Sequence, residues 1–256
     1  MAITYETVEK VKGLSGLRLV LVKGLPSPWG LAAKAMMEYK GLKFVCAPQI
    51  AGGPNEELVA WSGTNSAPVL AWNDEKPINR WDDILHLIER IAPDKPLLPE
   101  DRTLRAQALG FSQELCGELG LGWNIRLGMF SAMIDFWKTS EGIETQAKKY
   151  GYRPEDTALA DQRVRATLSL FSEQLRTQKS RGSAFLVGEQ LTAVDFYWAA
   201  FCNLASILDQ ELAPIQAEAR PLLEGVKAKF ADDLEPELIR HRDEILGRYY
   251  RLPLEM

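Results

Sequence analysis

Short apolar runs alternate with helical periods over the first third of the chain. The run "LRLVLV" at residues 17–22 predicts a β-strand, and Ala32, Ala35 and Met36 then recur at the spacing of one helix face. A second strand is predicted by "KFVCAP" at residues 43–48. This alternation is typical of strands and crossover helices that share one sheet.

A hairpin and a further helix are predicted to complete this sheet. The segments "PVLAW" at 68–72 and "KPINR" at 76–80 flank turn residues, and Ile84, Leu87 and Ile88 then repeat the helical spacing. The resulting order over residues 17–92 is strand, helix, strand, irregular helix, strand, strand, helix. This order indicates an α/β thioredoxin-like domain.

The pattern changes at a proline-containing segment, residues 93–100, which we interpret as a linker because proline removes backbone donors and restricts the residue before it. Beyond it, stripes such as Leu104, Ala108 and Leu115 follow a helical period, and no strand pattern competes. Residues 101–256 are therefore predicted to form a second, all-α domain.

Charge and composition narrow the function classes. Lys and Arg number 30 against 35 Asp and Glu, which gives a net charge of -5 without long blocks of one sign. This balance suggests neither a nucleic-acid nor a membrane partner. The apolar run at 17–22 is too short for a signal or membrane segment, so a cytoplasmic protein is expected.

Cysteines and histidines are few and far apart. Cys46, Cys116 and Cys202 form no Cys-x-x-Cys pair, so we expect buried thiols in a reducing compartment rather than disulfides or a thiolate metal site. The two histidines, His86 and His241, are widely separated in the sequence. Histidine triads and multi-histidine metal centres are hard to build from them, and no metal is expected.

Three short motifs occur in a fixed order. "SPWGLAAK" places Ser27 before a proline at a helix start, where exposed N–H groups favour a nearby anion. "SAPVL" places Pro68 before the third strand, and "LTAVDF" has the Thr-x-x-Asp spacing of a capping box between Thr192 and Asp195. Ser27 also fits an ordinary N-cap, and Pro68 also fits the trans start of a strand.

In this order the motifs resemble the cytosolic glutathione S-transferase family, in a divergent, bacterial-type form. The resemblance implies that Ser27 donates a hydrogen bond to the glutathione sulfur. It also implies that Pro68 is cis and that the main chain of Ala67 pairs with the cysteinyl backbone of glutathione. Homodimerisation, a small-molecule substrate and glutathione as cosubstrate follow from the same resemblance.

The sequence departs from this family where a Glu-Ser or Gln-Ser pair normally binds the γ-glutamyl end of glutathione. Arg80 and Trp81 stand there instead. A guanidinium accepts no hydrogen bond and repels an ammonium, and an indole offers one donor only. Three possibilities follow: glutathione binds through Asp82 or Asp83, another anionic ligand uses Arg80, or ligand binding is lost. A solvated Arg80 paired with the aspartates is a further alternative.

The resemblance also places an apolar second-substrate pocket against the first helices of the C-terminal domain. Trp29, Trp123 and Phe130 are the candidates for its lining, although Trp123 and Phe130 fit a helix core equally by their spacing. The leading hypothesis is transfer of a thiol from glutathione to a small hydrophobic electrophile. The alternatives are a non-catalytic scaffold of this fold and a protein of this fold that binds another anion.

Overall fold

The computed structural model describes residues 3–137, 141–217 and 219–255. They divide into two compact units. The first unit consists of the described residues up to Leu97, residues 209–216 and the described residues from Leu246 onward. The second consists of Leu98–Leu208 and the described residues of Ala217–Ile245.

The first unit is built on a mixed sheet with β1 in its centre. Strand β1 (Leu17–Val22) pairs in parallel with β2 (Phe44–Gln49) and antiparallel with β3 (Val69–Trp72), so that the strand order is β2-β1-β3. Leu19 and Val20 are fully buried. A strand covered on both faces explains why β1 reads as a continuous apolar run rather than an alternating one.

The predicted fourth strand is shorter than expected. Of the segment 76–80, only Ile78 pairs, through reciprocal backbone hydrogen bonds with Leu70 of 2.8 and 2.9 Å. Pro77 has no N–H to donate, which limits the ladder on one side of Ile78. At the opposite edge, Tyr5 forms a parallel bridge with Cys46, so the N-terminal extension joins the sheet beyond β2.

Four helices accompany this sheet. They are α1 (Val8–Lys12), α2 (Pro28–Tyr39), α3 (Glu56–Ser62) and α4 (Trp81–Ile91). The parallel pairing of β1 with β2 requires a crossover, and α2 supplies it. With the sheet, these helices confirm the thioredoxin-like α/β class expected for the N-terminal domain.

Two segments from the C-terminal part of the chain pack with the first unit, although the sequence assigned residues 101–256 to the helical domain. Tyr249 meets Tyr39 edge to face with ring centroids 5.7 Å apart, and the Leu254 N–H donates to the Leu212 carbonyl at 2.7 Å. These contacts join distant parts of the chain. The hydrophobic periodicity of the sequence does not predict such long-range contacts.

The second unit is helical, as predicted. It contains α5 (Arg102–Cys116), α6 (Leu121–Trp137), α7 (Glu141–Lys149), a 3-10 turn (Pro154–Asp156), α8 (Thr157–Ser180), α9 (Ala193–Ala205), α10 (Arg220–Lys229) and most of α11 (Pro236–Tyr249). Every residue of α9 is buried, and Phe171 of α8 stacks on Trp198 at 5.0 Å. Among the described residues, no helix is both long and apolar enough for a membrane crossing.

The capping box that opens α9 is formed as predicted, and Asp195 has a wider role than a cap. Its buried carboxylate accepts hydrogen bonds from the backbone N–H groups of Thr192 and Leu186, both at 2.9 Å. His241 of α11 also lies 3.0 Å from Asp195 through Nε2. One carboxylate therefore joins the start of α9, the preceding loop and α11.

Asp195→Ala is expected to lower the free energy of unfolding by about 3–5 kcal/mol, because it leaves several buried donors without an acceptor. Glu224→Ala, which removes the ion pair between this exposed glutamate and Arg220 in the same unit, is expected to cost less than about 1 kcal/mol. Urea unfolding followed by circular dichroism measures both. Equal losses in the two variants would show that Asp195 is no more than a local cap.

Candidate functional site

Strand register brings the three candidate loops to one end of the sheet. Val20, near the C-terminal end of β1, lies opposite Val69, the first residue of β3. Residues 67 and 68, which precede β3, therefore lie at the end of the sheet where β1 ends. The chain continues from this end of β1 toward Ser27. Because Leu70 pairs with Ile78, the chain also returns to this end just before α4 begins. Ser27, Ala67, Pro68, Arg80, Trp81 and Asp82 come from these loops.

Ser27 is the N-cap residue of α2, but its hydroxyl does not cap the helix. Its carbonyl accepts the first helical hydrogen bond from Leu31 at 2.9 Å, and Pro28 occupies the first helical position. In the described structure no backbone N–H at the start of α2 donates to Ser27 Oγ. The N-cap position of Ser27 and the place of Pro28 fit the ordinary helix start that the sequence allowed, but the Ser27 hydroxyl forms no cap hydrogen bond.

The loop before Ser27 is tightly turned. Gly24 has φ +76°, in the left-handed region where glycine is favoured, and a Cβ atom there would lie 3.4 Å from Gln216 Nε2. The Ser27 N–H donates to the Leu25 carbonyl at 2.8 Å. Trp29, a candidate for the substrate pocket, is half-buried in the first turn of α2.

The segment before β3 is held by side-chain hydrogen bonds that the sequence did not reveal. The Asn55 side chain donates to Asn65 Oδ1 at 2.7 Å, and the Ser66 N–H donates to Thr64 Oγ1 at 3.1 Å. The peptide bond between Ala67 and Pro68 is cis. The only sequence signal for this network is the set of Asn, Ser and Thr residues flanking the loop, which fits many turns.

At the start of α4, Arg80 forms an ion pair with the next turn of the helix. Its Nε and Nη2 atoms donate to the two Asp82 oxygens at 3.2 and 3.0 Å, and Nε lies 3.7 Å from Asp83. The Arg80 side chain is 69% exposed and that of Asp82 is 31% exposed. The alternative of a solvated Arg80 paired with neighbouring aspartates is the arrangement observed.

This pair changes the titration of both groups. Partial burial of the Asp82 carboxyl raises its pKa, but the hydrogen bond and charge of Arg80 outweigh burial, so the pKa is lowered overall. The hydrogen bond to Asp82 correspondingly raises the pKa of Arg80. Asp82 is therefore an anion at neutral pH, at the helix end where the backbone dipole also favours negative charge.

Trp81 is the first residue of α4 and is half-buried. The helix therefore begins at the position where the resemblance leads one to expect a serine. The backbone N–H groups of the first turn of α4 are those that a carboxylate would use, and Trp81 replaces the hydroxyl that would assist them.

In the second unit, Trp123 and Phe130 belong to one aromatic cluster on α6. Phe130 is 4% exposed and stacks on Tyr150 at 5.8 Å, and Trp123 meets the same ring edge to face at 5.7 Å. The Arg126 guanidinium lies 4.3 Å from the Tyr150 centroid. The burial of Phe130 favours the core alternative for that residue. Arg126 and Tyr150 also belong to this cluster, which the periodicity of the sequence did not indicate.

The cysteines contribute no reactive thiolate to the site. All three are free and buried, and burial raises the pKa of Cys46 to about 11 and that of Cys202 to about 12. Within the described ranges, no group of three or more acidic, histidine or cysteine side chains has the arrangement of a metal site. The polar groups described at this end of the sheet include Ser27, main-chain groups and the Arg80–Asp82 pair.

Comparison with known proteins agrees with this fold. Residues 126–232 match the family model of the glutathione S-transferase C-terminal domain. No curated protein sequence gives a significant match.

Solved structures with similar folds include three bacterial proteins. A glutathione S-transferase of Methylobacterium radiotolerans in complex with glutathione sulfonate has 19% identity and a TM-score of 0.63, over 91% of this chain and 92% of that one. One from Methylobacillus flagellatus with glutathione bound has 13% identity and a TM-score of 0.63, over 91% and 96%. A Pseudomonas putida glutathione transferase with bound glutathione disulfide has 18% identity and a TM-score of 0.59, over 95% of both chains.

The TM-scores and coverage establish a common fold, and the matched segment is similar to the C-terminal domain of that family. The structure thus combines a thioredoxin-like unit with a mainly helical second part of the chain, in which residues 126–232 are similar to the glutathione S-transferase C-terminal domain.

Proposed function

We propose that this protein binds glutathione at the C-terminal end of β1 and transfers its thiol to a small hydrophobic electrophile. The observation that supports this most directly is the Ser27 hydroxyl, which stands at the start of α2 without serving as its cap. The glutathione-bound structures of similar fold point to the same ligand. A cytoplasmic homodimer, which the resemblance implies, is part of the proposal.

The chemistry depends on stabilising a thiolate. A hydrogen bond from Ser27 Oγ and the positive end of the α2 dipole both favour the charged sulfur and so lower the pKa of the glutathione thiol. The thiol proton leaves to solvent, and the sulfur electron pair forms a C–S bond with the electrophilic carbon. The electrophile then expels its leaving group with the electrons of the broken bond, or its carbanion takes up a proton.

The backbone of glutathione is assigned to the segment before β3. Main-chain groups of Ala67 would pair with the cysteinyl N–H and C=O like an added strand. The Asn55–Asn65 hydrogen bond and the Ser66–Thr64 hydrogen bond hold the preceding residues, which reduces the entropy lost when a ligand pairs with this edge.

The γ-glutamyl end is assigned to the first turn of α4. The Asp82 carboxylate would accept hydrogen bonds from the ammonium, and the N–H groups after Trp81 would donate to the ligand carboxylate. Arg80 is largely exposed and can leave Asp82 without crossing a packed core. Binding through Asp82 must therefore displace Arg80 from an existing ion pair, which costs affinity relative to an unpaired acid.

The competing function is a non-catalytic scaffold that has lost the cofactor, and the Arg80–Trp81 substitution is the observation in its favour. Recognition of a different anion by Arg80 is less well supported, because two neighbouring carboxylates already neutralise the guanidinium. The two functions differ in what Ser27 does. In the scaffold its hydroxyl has no role in any reaction.

Ser27→Ala should abolish most thiol transfer without destabilising the fold. We expect a loss of about tenfold or more in kcat/KM with an aryl halide, since a hydrogen bond to a developing charge is lost. The free energy of unfolding should change by less than about 0.5 kcal/mol, because no cap bond is removed.

Two variants calibrate this test. Asp101→Ala, which removes a formed cap bond of 2.8 Å to the Leu104 N–H, should cost about 1 kcal/mol and leave transfer unchanged. Ser27→Thr keeps a hydroxyl and should retain activity. Unaltered transfer in Ser27→Ala would contradict the proposed role and favour the scaffold.

Asp82→Asn should weaken glutathione binding about tenfold, because a neutral amide replaces the carboxylate that accepts the ammonium. Asp83→Asn is the matched control on the same turn and should change affinity less than about twofold, since Asp83 meets Arg80 only at 3.7 Å. Isothermal titration calorimetry with reduced glutathione measures both. If the two variants bind equally well, Asp82 is not the ammonium acceptor.

A further inference from the structure

A second concave site lies in the first unit, away from the start of α2. It has a volume of about 370 Å³, which falls at the lower end of the roughly 300–1,000 Å³ typical of small-molecule sites. We call it the edge pocket, because it lies along β2 at the outer edge of the sheet. Ile3, Glu6, Lys34, Glu38, Val45 and Arg251 are among its lining residues.

The two ends of the described chain build this pocket. The Glu6 N–H donates to the Cys46 carbonyl at 2.9 Å, which fixes the N-terminal extension against β2. The Ile3 N–H donates to Glu255 Oε2 at 3.1 Å, and this bond ties the extension to the C-terminal tail. The extension and the tail therefore form walls beside α2 and β2.

One end of the edge pocket is cationic. Lys34 Nζ lies 3.3 Å from Glu38 Oε1, and the Lys34 side chain is only 7% exposed. Arg251 Nη1 lies 3.9 Å from the same Glu38 oxygen, with a side chain that is 55% exposed. These three groups have a net charge of +1. Arg251 makes a long ion pair and has five N–H donors, so it can bind a further acceptor.

The remaining lining consists of apolar residues, the polar Thr4 and a paired Glu6. Glu6 pairs with Lys10 at 2.9 Å, so its carboxylate adds little repulsion. Phe44, Val45 and Cys46 line the β2 side. Burial raises the pKa of the Cys46 thiol to about 11, so this side chain is an uncharged wall at neutral pH and not a nucleophile.

From this arrangement we propose that the edge pocket binds a small monocarboxylate with a short apolar or aromatic body. The carboxylate lies beside the exposed Arg251 guanidinium, which Glu38 engages only in a long ion pair, and the body lies against Phe44 and Val45. Such a ligand would tie together the extension, α2 and the C-terminal tail. The site is separate from the residues assigned to glutathione, so it does not depend on the proposed thiol transfer.

Phenylacetate is a suitable probe, titrated into the full chain by calorimetry and by amide chemical shifts. We expect a Kd below about 1 mM and shifts at Val45 and Arg251. Neutral phenylacetamide should bind about tenfold more weakly, because it lacks the charge that Arg251 recognises. Ser27→Ala should bind phenylacetate as the unaltered chain does.

Arg251→Gln should weaken phenylacetate at least about fivefold, and this exposed change should leave the fold intact. Arg248→Gln, at an exposed arginine on the last turn of α11, is the matched control and should bind normally. Equal affinity of Arg251→Gln and Arg248→Gln, or equal affinity for the amide and the acid, would overturn the proposal. Shifts confined to the loops around Ser27 would also overturn it, because the carboxylate would then occupy the other site.

Discussion

The hydrogen-bonded register of β1 with its neighbours is the constraint on which the candidate site depends. Parallel pairing with β2 requires the chain to cross over through α2, so Ser27 must follow the C-terminal end of β1. Antiparallel pairing of Val20 with Val69 places the start of β3 at this same end. Because β1 is buried on both faces, a slip of one residue would exchange the side chains of the two faces and disrupt their packing, so close packing helps to fix the register and with it the meeting of the loops.

The charges at the start of α4 affect which ligand groups this end of the sheet can bind. A helix N-terminus favours an anion whatever the side chains, and Asp82 adds a carboxylate beside it. Arg80 compensates that carboxylate from outside the helix. The substitution therefore does not simply create a cationic pocket. It makes an ion pair within the protein, in which an ammonium group of the ligand must replace Arg80. This arrangement is compatible with weaker glutathione binding. It is less compatible with recognition of a new anion.

Periodicity predicted the elements well where a single segment decides its own structure. The buried run of β1, the face of α2 and the capping box of Thr192 and Asp195 are all local patterns, and each is present. The fourth strand fell short because Pro77 lacks a donor, a local fact that the hairpin prediction gave too little weight.

Features that join distant segments were not predictable in this way. The return of residues 246–255 to the first unit and the Asn55–Asn65 bond depend on which surfaces meet, and their residues look like ordinary turn or helix positions. Likewise, only the structure shows that the Ser27 hydroxyl does not cap α2, since the sequence around it is that of a common helix start. The residue types at the site were visible in the sequence, but their partners were not.

The most direct test of the central claim is to map reduced glutathione onto the full chain by amide chemical shifts. If strand register assembles one binding site from three loops, millimolar glutathione should shift the amides of Ser27, Ala67 and Asp83 together, with one common affinity. Absence of shifts at saturating ligand, or shifts at only one of these loops, would contradict the claim.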